Sequence, residues 1–155
     1  MKDKRKEHLG PIITLQDMIE TYPYKNVFYE VLIKGEQLKR MLEYSYRDEA
    51  NELNHTEFYQ LSEGLNIEYS RSLKKITKFT YYDEDIDMSK LYKVCIIGFD
   101  FINIKEFFNI SEDEILANGP KKVVCTSTSD ALYEYLDSKE KLPNYPVKDR
   151  LKFID

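Results

Sequence analysis

The fold is decided by residues 10–45, which read GPIITLQDMIETYPYKN (10–26), VFYEVLI (27–33) and KGEQLKRMLEYS (34–45). Thr14 and Asp17 have the spacing of a capping box, with Asp in place of the usual Glu, which predicts a helix beginning at about Leu15. Pro23 disfavours helical backbone in the residue before it, so this helix is expected to end at about Tyr22.

Two further elements follow directly. Residues 27–33 form a β-branched and aromatic run bounded by polar residues, which is typical of a strand. Leu38, Met41, Leu42 and Ser45 then fall at i, i+3, i+4 and i+7. This spacing predicts a second helix with one buried face.

The rest of the chain alternates short apolar runs with polar turns. These runs predict strands at 58–61, 65–69, 76–82, 92–98, 121–125 and 151–154. The segment after Phe101 is predicted to be a loop. The polar run 127–130 is predicted to cap a last helix with one apolar face.

Helices and strands are thus intermixed without strict βαβ repetition. This order predicts an α+β domain built around a mixed β-sheet packed with helices. Residues 1–9 are highly charged and are predicted to be a flexible leader, and residues 10–155 a single domain. A chain of 155 residues is long enough to bury a sizeable core.

Charge and hydropathy argue against two classes of binding partner, nucleic-acid polymers and membranes. The net charge of −5 argues against a nucleic-acid polymer, whose phosphates require a basic face. No apolar run approaches the roughly 18 residues of a membrane helix, and no apolar segment of a signal peptide follows Met1. We therefore expect a soluble protein without a membrane partner, cytoplasmic as written, or secreted or at the cell surface if the sequence is a fragment of a longer protein.

Residues for hydrolytic chemistry are scarce. The chain has two histidines, His8 in the leader and His55 in a polar stretch, and neither has metal-ligand spacing with other His, Asp or Cys residues. The acidic run 83–87 lacks the Gly and Glu of a calcium loop and is interpreted as a hairpin turn. No catalytic residue and no metal ligand is predicted, so this chain is not expected to catalyse hydrolysis alone.

Cysteine usage is low, with Cys95 and Cys125 each inside an apolar, strand-like run. The prediction is a pair of buried free thiols. A disulfide between them would need Cα atoms within about 7 Å of each other, which the sequence leaves open.

Several motifs resemble the C-terminal domain of the 5'-nucleotidase family. The family's "G-x-I-T-x-x-D", "P-F-G-N" and "G-x-x-L-K-x-x-L-E-x-S" are similar to residues 11–45 in order, spacing and residue type, and "N-D-F-L-A" is similar to the stretch around 100–103. Members of this family are two-domain metallophosphoesterases, including UDP-sugar hydrolases and 2',3'-cyclic-nucleotide 2'-phosphodiesterases. The resemblance covers most of residues 10–154 and implies the same α+β fold.

The resemblance also implies a ligand site. In the family the C-terminal domain supplies the pocket for the base and ribose, and two aromatic rings sandwich the base. The matches to these rings here are Tyr24 and Phe101. Base–aromatic stacking stabilises such complexes by about 1–3 kcal/mol per base. Asn26 and Asp100 lie in the same two motifs and join the implied substrate-binding set, although Asn26 fits the role of a turn-former better than that of a ligand contact. The divalent metals would bind the other domain, so no cofactor is expected in this chain. Without the resemblance, ordinary packing is the favoured interpretation of both rings, and with it the two interpretations are balanced.

Two departures bear on this site. Where the family has "G-G-D-G", whose Asp binds the ribose hydroxyls, residues 104–108 read IKEFF. Glu106, displaced by one residue, is the candidate to replace that Asp. The family's upstream "N-G-G-G-x-R" has no matching Gly run here, and Arg5, which lies near the right distance, is interpreted as a leader residue.

Two functions remain open from the sequence. The first is a nucleotide- or nucleoside-recognition domain of a 5'-nucleotidase-like metallophosphoesterase, served by a metallophosphatase domain in cis or in trans. The second is a degenerate domain that kept the fold and lost the ligand, acting as an interaction or structural module. The retained rings favour the first, and the altered loop favours the second. Binding of another flat ligand between the same rings is a weaker third option.

Overall fold

The computed structural model describes residues 12–49, 59, 61–139 and 149–155. Its helices and strands follow the order α1 (Leu15–Thr21), β1 (Phe28–Lys34), α2 (Gly35–Ser45), β2 (Leu65–Ser70), β3 (Lys75–Tyr81), β4 (Glu84–Asp85), β5 (Leu91–Ile97), α3 (Gly98–Ile102), α4 (Ile104–Phe108), α5 (Glu112–Leu116), β6 (Lys122–Cys125), α6 (Thr128–Asp137) and β7 (Leu151–Ile154). The predicted α+β class is confirmed. The predicted leader lies outside the described residues.

The first helix begins where its capping residues predict. The Asp17 amide donates to Thr14 Oγ1 at 3.2 Å, and the Thr14 amide donates to Asp17 Oδ2 at 2.9 Å. This reciprocal pair satisfies amide groups that the first turn of a helix leaves free. The helix ends at Thr21, one residue before the predicted end.

The strands divide into two sheets. In the first, β1 lies between β5 and β6, antiparallel to both, with Val31 opposite Val94. In the second, the order is β4-β3-β2-β7, with Ile67 of β2 opposite Phe79 and β7 parallel to β2. The mixed sheet is therefore the second one, and β7 is the parallel strand that makes it mixed.

Helix α2 joins the two sheets through two apolar clusters. The first cluster gathers β1 and β5 residues with α3, α4 and α5, and it includes Val31, Ile33, Met41 and Phe101. The second gathers the β2–β3 face with the C-terminal half of α2. Leu38 packs against both clusters, so α2 is the shared element of the core.

The acidic run 83–87 belongs to a β-hairpin, as predicted. Tyr82 and Asp83 form its two-residue turn with φ of 50° and 67°, between paired residues Tyr81 and Glu84. Positive φ at both positions matches the right-handed twist of the flanking strands. Ile86, which follows, is buried in the second cluster.

The segment after Phe101 differs from the prediction. It is not a loop but the short helices α3, α4 and α5, separated by Asn103 and by Asn109, whose φ is +52°. The strand predicted at 58–61 lies mostly outside the described residues. Among the described helices, none is long and apolar enough to cross a membrane.

The two cysteines are free, but Cys95 is exposed and Cys125 only half-buried, so the prediction of buried thiols is wrong. Cys95 lies opposite Glu30 and Cys125 opposite Phe28, on the two strands that flank β1. Partial desolvation raises the pKa of the Cys95 thiol, and the negative charge of Glu30 adds to the effect. A full strand separates the two thiols, which places them beyond disulfide distance.

Candidate functional site

Tyr24 lies on a loop, residues 22–27, which we call the Tyr24 loop. The residue is 40% exposed, and its ring meets that of Tyr22 edge-on, with 6.2 Å between the ring centroids. Thr128 Oγ1 and Ser129 Oγ donate to the Tyr24 carbonyl at 3.1 and 3.0 Å. Both hydroxyl groups come from the buried first turn of α6, so the backbone of the loop is anchored while the ring reaches solvent.

Asn26 contributes its backbone to the same anchor. Its amide donates to Thr128 Oγ1 at 3.3 Å, and its carbonyl accepts from the Thr128 amide at 2.7 Å. The residue is half-buried. These bonds give Asn26 a role in holding the Tyr24 loop, alongside the substrate contact that the resemblance implies for it.

Phe101 lies on α3 and is 1% exposed. Its ring packs on Tyr29 of β1 at a centroid distance of 5.4 Å, tilted by 60°. A base can stack only on an accessible ring face, and the ring of Phe101 is covered in this structure. In this structure Phe101 therefore contributes to the apolar core.

Lys121 completes the cover over this aromatic pair. Its Nζ lies 4.5 Å from the ring centroid of Phe101 and 5.1 Å from that of Tyr29. The same ammonium group pairs with Glu112 Oε1 at 2.8 Å. A cation over an aromatic face is attracted by the ring's quadrupole, so Lys121 holds its place by two electrostatic contacts. The sequence reasoning missed this residue.

The two candidate carboxylates lie on different helices. Asp100 is in the first turn of α3 and is largely buried beside Phe101, whereas Glu106 is exposed in the middle of α4. Glu106 sits on a regular helical turn and not on a glycine loop of the kind that the resemblance implies. A carboxylate on this helix has less freedom to approach a ligand than one on a glycine loop.

The structure exposes a further aromatic ring, which the sequence did not indicate as a site residue. Phe99 is 52% exposed on α3 and contacts Phe107 at a centroid distance of 5.8 Å. The preceding residue, Gly98, donates its amide to the carbonyl of Val27 in the Tyr24 loop at 2.8 Å. A helix of five residues is too short for apolar periodicity to show which side is buried. Only the tertiary structure therefore distinguishes the exposed Phe99 from the buried Phe101.

A separate groove of about 570 Å³ lies between α1 and α6. It is lined mainly by apolar side chains, among them Leu15, Met18, Tyr133 and Leu136, with Glu134 and Asp137 beside them. None of the residues implied for base binding lines it.

The described part of the chain offers no cluster of metal ligands. Across 12–49, 59, 61–139 and 149–155, no three His, Cys, Asp or Glu side chains are grouped so that they could hold a metal ion. His8 and His55 lie outside these ranges. The described residues thus do not fit the metal centre of a phosphoesterase, and we assign them no metal-dependent step.

The comparison with known proteins agrees with this fold. The family model described as 5'-nucleotidase, C-terminal domain, matches residues 4–110, and the chain belongs to this family. No curated protein sequence matches the chain.

Solved structures with similar folds include three nucleotidases. The 5'-nucleotidase precursor of Thermus thermophilus aligns with a TM-score of 0.72 at 18% identity, covering 92% of this chain and 28% of that one. The putative 5'-nucleotidase of Staphylococcus aureus in complex with alpha-ketoglutarate gives 0.67 at 16%, covering 91% and 30%. The NAD nucleotidase of Haemophilus influenzae gives 0.66 at 15%, covering 92% and 27%.

At these identities the likeness establishes the fold alone. The chain spans less than a third of the length of each of these three proteins. What the longer proteins do as a whole is therefore not carried over to this chain by the alignment.

Proposed function

We propose that this chain is the substrate-recognition domain of a 5'-nucleotidase-like phosphoesterase, and that it binds a nucleotide or nucleoside through the Tyr24 loop. The metal ions and the catalytic residues would belong to a metallophosphatase domain, in cis or in trans. The single observation that carries the proposal is the exposed Tyr24 ring on a loop anchored by Thr128 and Ser129, within a chain of this family.

The physical basis is stacking on a ring whose backbone is held in place by two hydrogen bonds. Because two hydroxyl donors hold the Tyr24 carbonyl, the loop loses little conformational freedom when a ligand binds. The accessible ring can then stack on a purine or pyrimidine. Asn26 supports the loop through its backbone, and Asp100 and Glu106 are proposed as polar contacts to the sugar. No residue of this chain is proposed as catalytic.

The test is a binding titration of AMP, ATP, adenosine, UMP, UDP-glucose and a cyclic nucleotide, read by calorimetry and by thermal shift. We expect Tyr24→Ala to weaken binding by about 5- to 150-fold, which corresponds to the 1–3 kcal/mol of one stacked base. Tyr81→Ala is the matched control, because Tyr81 is similarly exposed, at 45%, and lies on β3. Equal loss in both variants would contradict a base site at Tyr24.

A second candidate function is favoured by one specific observation. Phe101 is covered by Tyr29 and Lys121, and residues 104–108 form a helix in place of a glycine loop. These features favour an interaction or structural module without a nucleotide site. The same titration separates the two functions, because such a module would bind none of the ligands at millimolar concentration.

A further inference from the structure

We propose that Lys121 controls whether a ligand held at Tyr24 can also stack its base on Phe101, the second of the two rings that the resemblance implies, and thereby which ligands the site accepts. Its ammonium group lies 4.5 Å from the ring centroid of Phe101, on a ring that is otherwise buried, so a base can stack there only after this side chain leaves. The inference rests on the proposed function, because the cover matters for specificity only if a base binds.

Lys121 is the movable part of this cover. Tyr29 belongs to β1, which is hydrogen-bonded to strands on both sides, and Phe101 belongs to a helix in the core. The Lys121 side chain, by contrast, reaches solvent and has four rotatable bonds. Its partner, Glu112, is also partly exposed, and exposed ion pairs are weak. Thermal motion can therefore displace the ammonium group without disturbing the core.

The backbone that carries Lys121 is fixed. Asn118 Nδ2 donates to the Leu32 carbonyl at 3.1 Å and to Gln37 Oε1 at 2.7 Å. Gly119 follows with φ of +148°, a conformation that favours glycine. The turn before Lys121 is thus tied to both β1 and α2. Only the Lys121 side chain moves, and its ammonium group stays close to a base that takes its place over the Phe101 ring.

This arrangement selects ligands by charge. A displaced ammonium group loses its contact with the rings and keeps only Glu112 as a partner, so a second anionic acceptor close by stabilises the displaced position. The phosphate of a nucleotide supplies one as a charge-assisted hydrogen-bond acceptor, whereas a neutral nucleoside supplies none. The geometry therefore favours nucleoside phosphates over nucleosides.

The first experiment measures the cover without any nucleotide. Ring-proton relaxation of Phe101 is recorded with a soluble paramagnetic agent in the wild-type protein, in Lys121→Ala and in Lys121→Met. We expect a protected ring in the wild type, a strong increase in relaxation in Lys121→Ala, and protection again in Lys121→Met, whose apolar chain fills the same space. Glu112→Gln, which keeps Lys121 and weakens its ion pair, is expected to give an intermediate value. A ring in Lys121→Ala as protected as in the wild type overturns the proposal.

The second experiment measures specificity by titrating AMP and adenosine into the same variants. In Lys121→Ala we expect adenosine to bind about two- to five-fold more tightly, the factor of one exposed cation–π contact, and the preference for AMP to shrink. An unchanged preference while the wild type binds AMP overturns only the role of Lys121. An opened Phe101 ring with no binding of either ligand to any variant overturns the proposed function together with the specificity role.

Discussion

Asn26 and Thr128 lie 102 residues apart in the sequence and exchange two hydrogen bonds, the Asn26 amide to Thr128 Oγ1 and the Thr128 amide to the Asn26 carbonyl. The same threonine hydroxyl donates to the carbonyl of Tyr24. The first turn of α6 thus acts as the support for the Tyr24 loop. The position of the exposed Tyr24 ring depends on a residue from the other end of the chain.

Replacing this support should loosen the loop. Thr128→Val keeps the shape of the buried side chain but leaves the Asn26 amide without its acceptor, so we expect a loss of about 1–3 kcal/mol in the free energy of unfolding. Urea unfolding followed by circular dichroism measures it. Thr77→Val is the control, since Thr77 is exposed and its hydroxyl bond to the Glu68 carbonyl is replaceable by water. Equal losses in both variants would show that the Thr128 hydrogen bonds contribute no more to the free energy of unfolding than an exposed hydroxyl bond does.

The two phenylalanines of α3 should differ sharply. Phe101→Ala removes a ring from the first core cluster and should lower the free energy of unfolding by about 3–5 kcal/mol. Phe99→Ala removes a half-exposed ring from the same helix and should lower it by less than about 1 kcal/mol. Denaturant midpoints of the two variants, compared with that of the wild type, decide this. A larger loss for Phe99→Ala would mean that the wrong ring has been placed in the core.

A buried hydroxyl group offers a third prediction. The Tyr46 side chain is 4% exposed, and its hydroxyl has no hydrogen-bond partner among the described residues. An unsatisfied buried hydroxyl is unfavourable, so Tyr46→Phe should leave the stability unchanged or raise it by about 1 kcal/mol. Thermal unfolding at pH 7 measures the difference. A clear loss of stability would show that the hydroxyl has a partner after all.

Burial also raises the pKa of Tyr46 well above its usual value, which makes stability depend on pH. Above about pH 10 the unfolded chain loses the phenolic proton while the folded chain keeps it, so the free energy of unfolding falls as the pH rises, by up to about 1.4 kcal/mol per pH unit. Below pH 10 both states are protonated and the effect is absent. The decline between pH 10 and 11 should therefore be shallower in Tyr46→Phe, and identical slopes would contradict this.

The start of α2 tolerates no side chain. A Cβ built on Gly35 would lie 2.3 Å from the carbonyl oxygen of Asp87, whose segment also accepts hydrogen bonds from the Gly35 and Glu36 amides. Gly35→Ala should therefore lower the free energy of unfolding by about 1–3 kcal/mol, although alanine is the better helix former. The control Glu36→Ala, at an exposed position on the same helix, should be close to neutral. Chemical denaturation of both variants measures the contrast.

Local signals in the sequence predicted most of the elements correctly. Thr14 and Asp17 form the capping box that their spacing predicted, and β1 and α2 lie where β-branched runs and apolar periodicity placed them. Such signals act between residues close together in the chain. One signal was overlooked: Ser111 and Glu114 have capping spacing too, and the Glu114 amide donates to Ser111 Oγ at 3.1 Å at the start of α5.

The candidate site could be predicted only in part. The resemblance selected Tyr24, and the structure places its ring in solvent. It also selected Phe101, which the structure buries under Tyr29 and Lys121. Helices α3 and α4 have five residues each, too few for a periodic pattern to separate an inner from an outer ring. The exposure of Phe99 therefore had no signal in the sequence.

The sequence by itself determined the family, the α+β class and most of the local elements outside α3, α4 and α5, because capping, strand propensity and motif spacing are short-range properties. Tertiary structure alone decided the division of the strands into two sheets, the exposure of Cys95 and the cover over Phe101. These depend on which strands pair and on which side chains meet across long stretches of chain. Lys121 follows Phe101 by twenty residues, and only the folded chain brings its ammonium group to the aromatic ring.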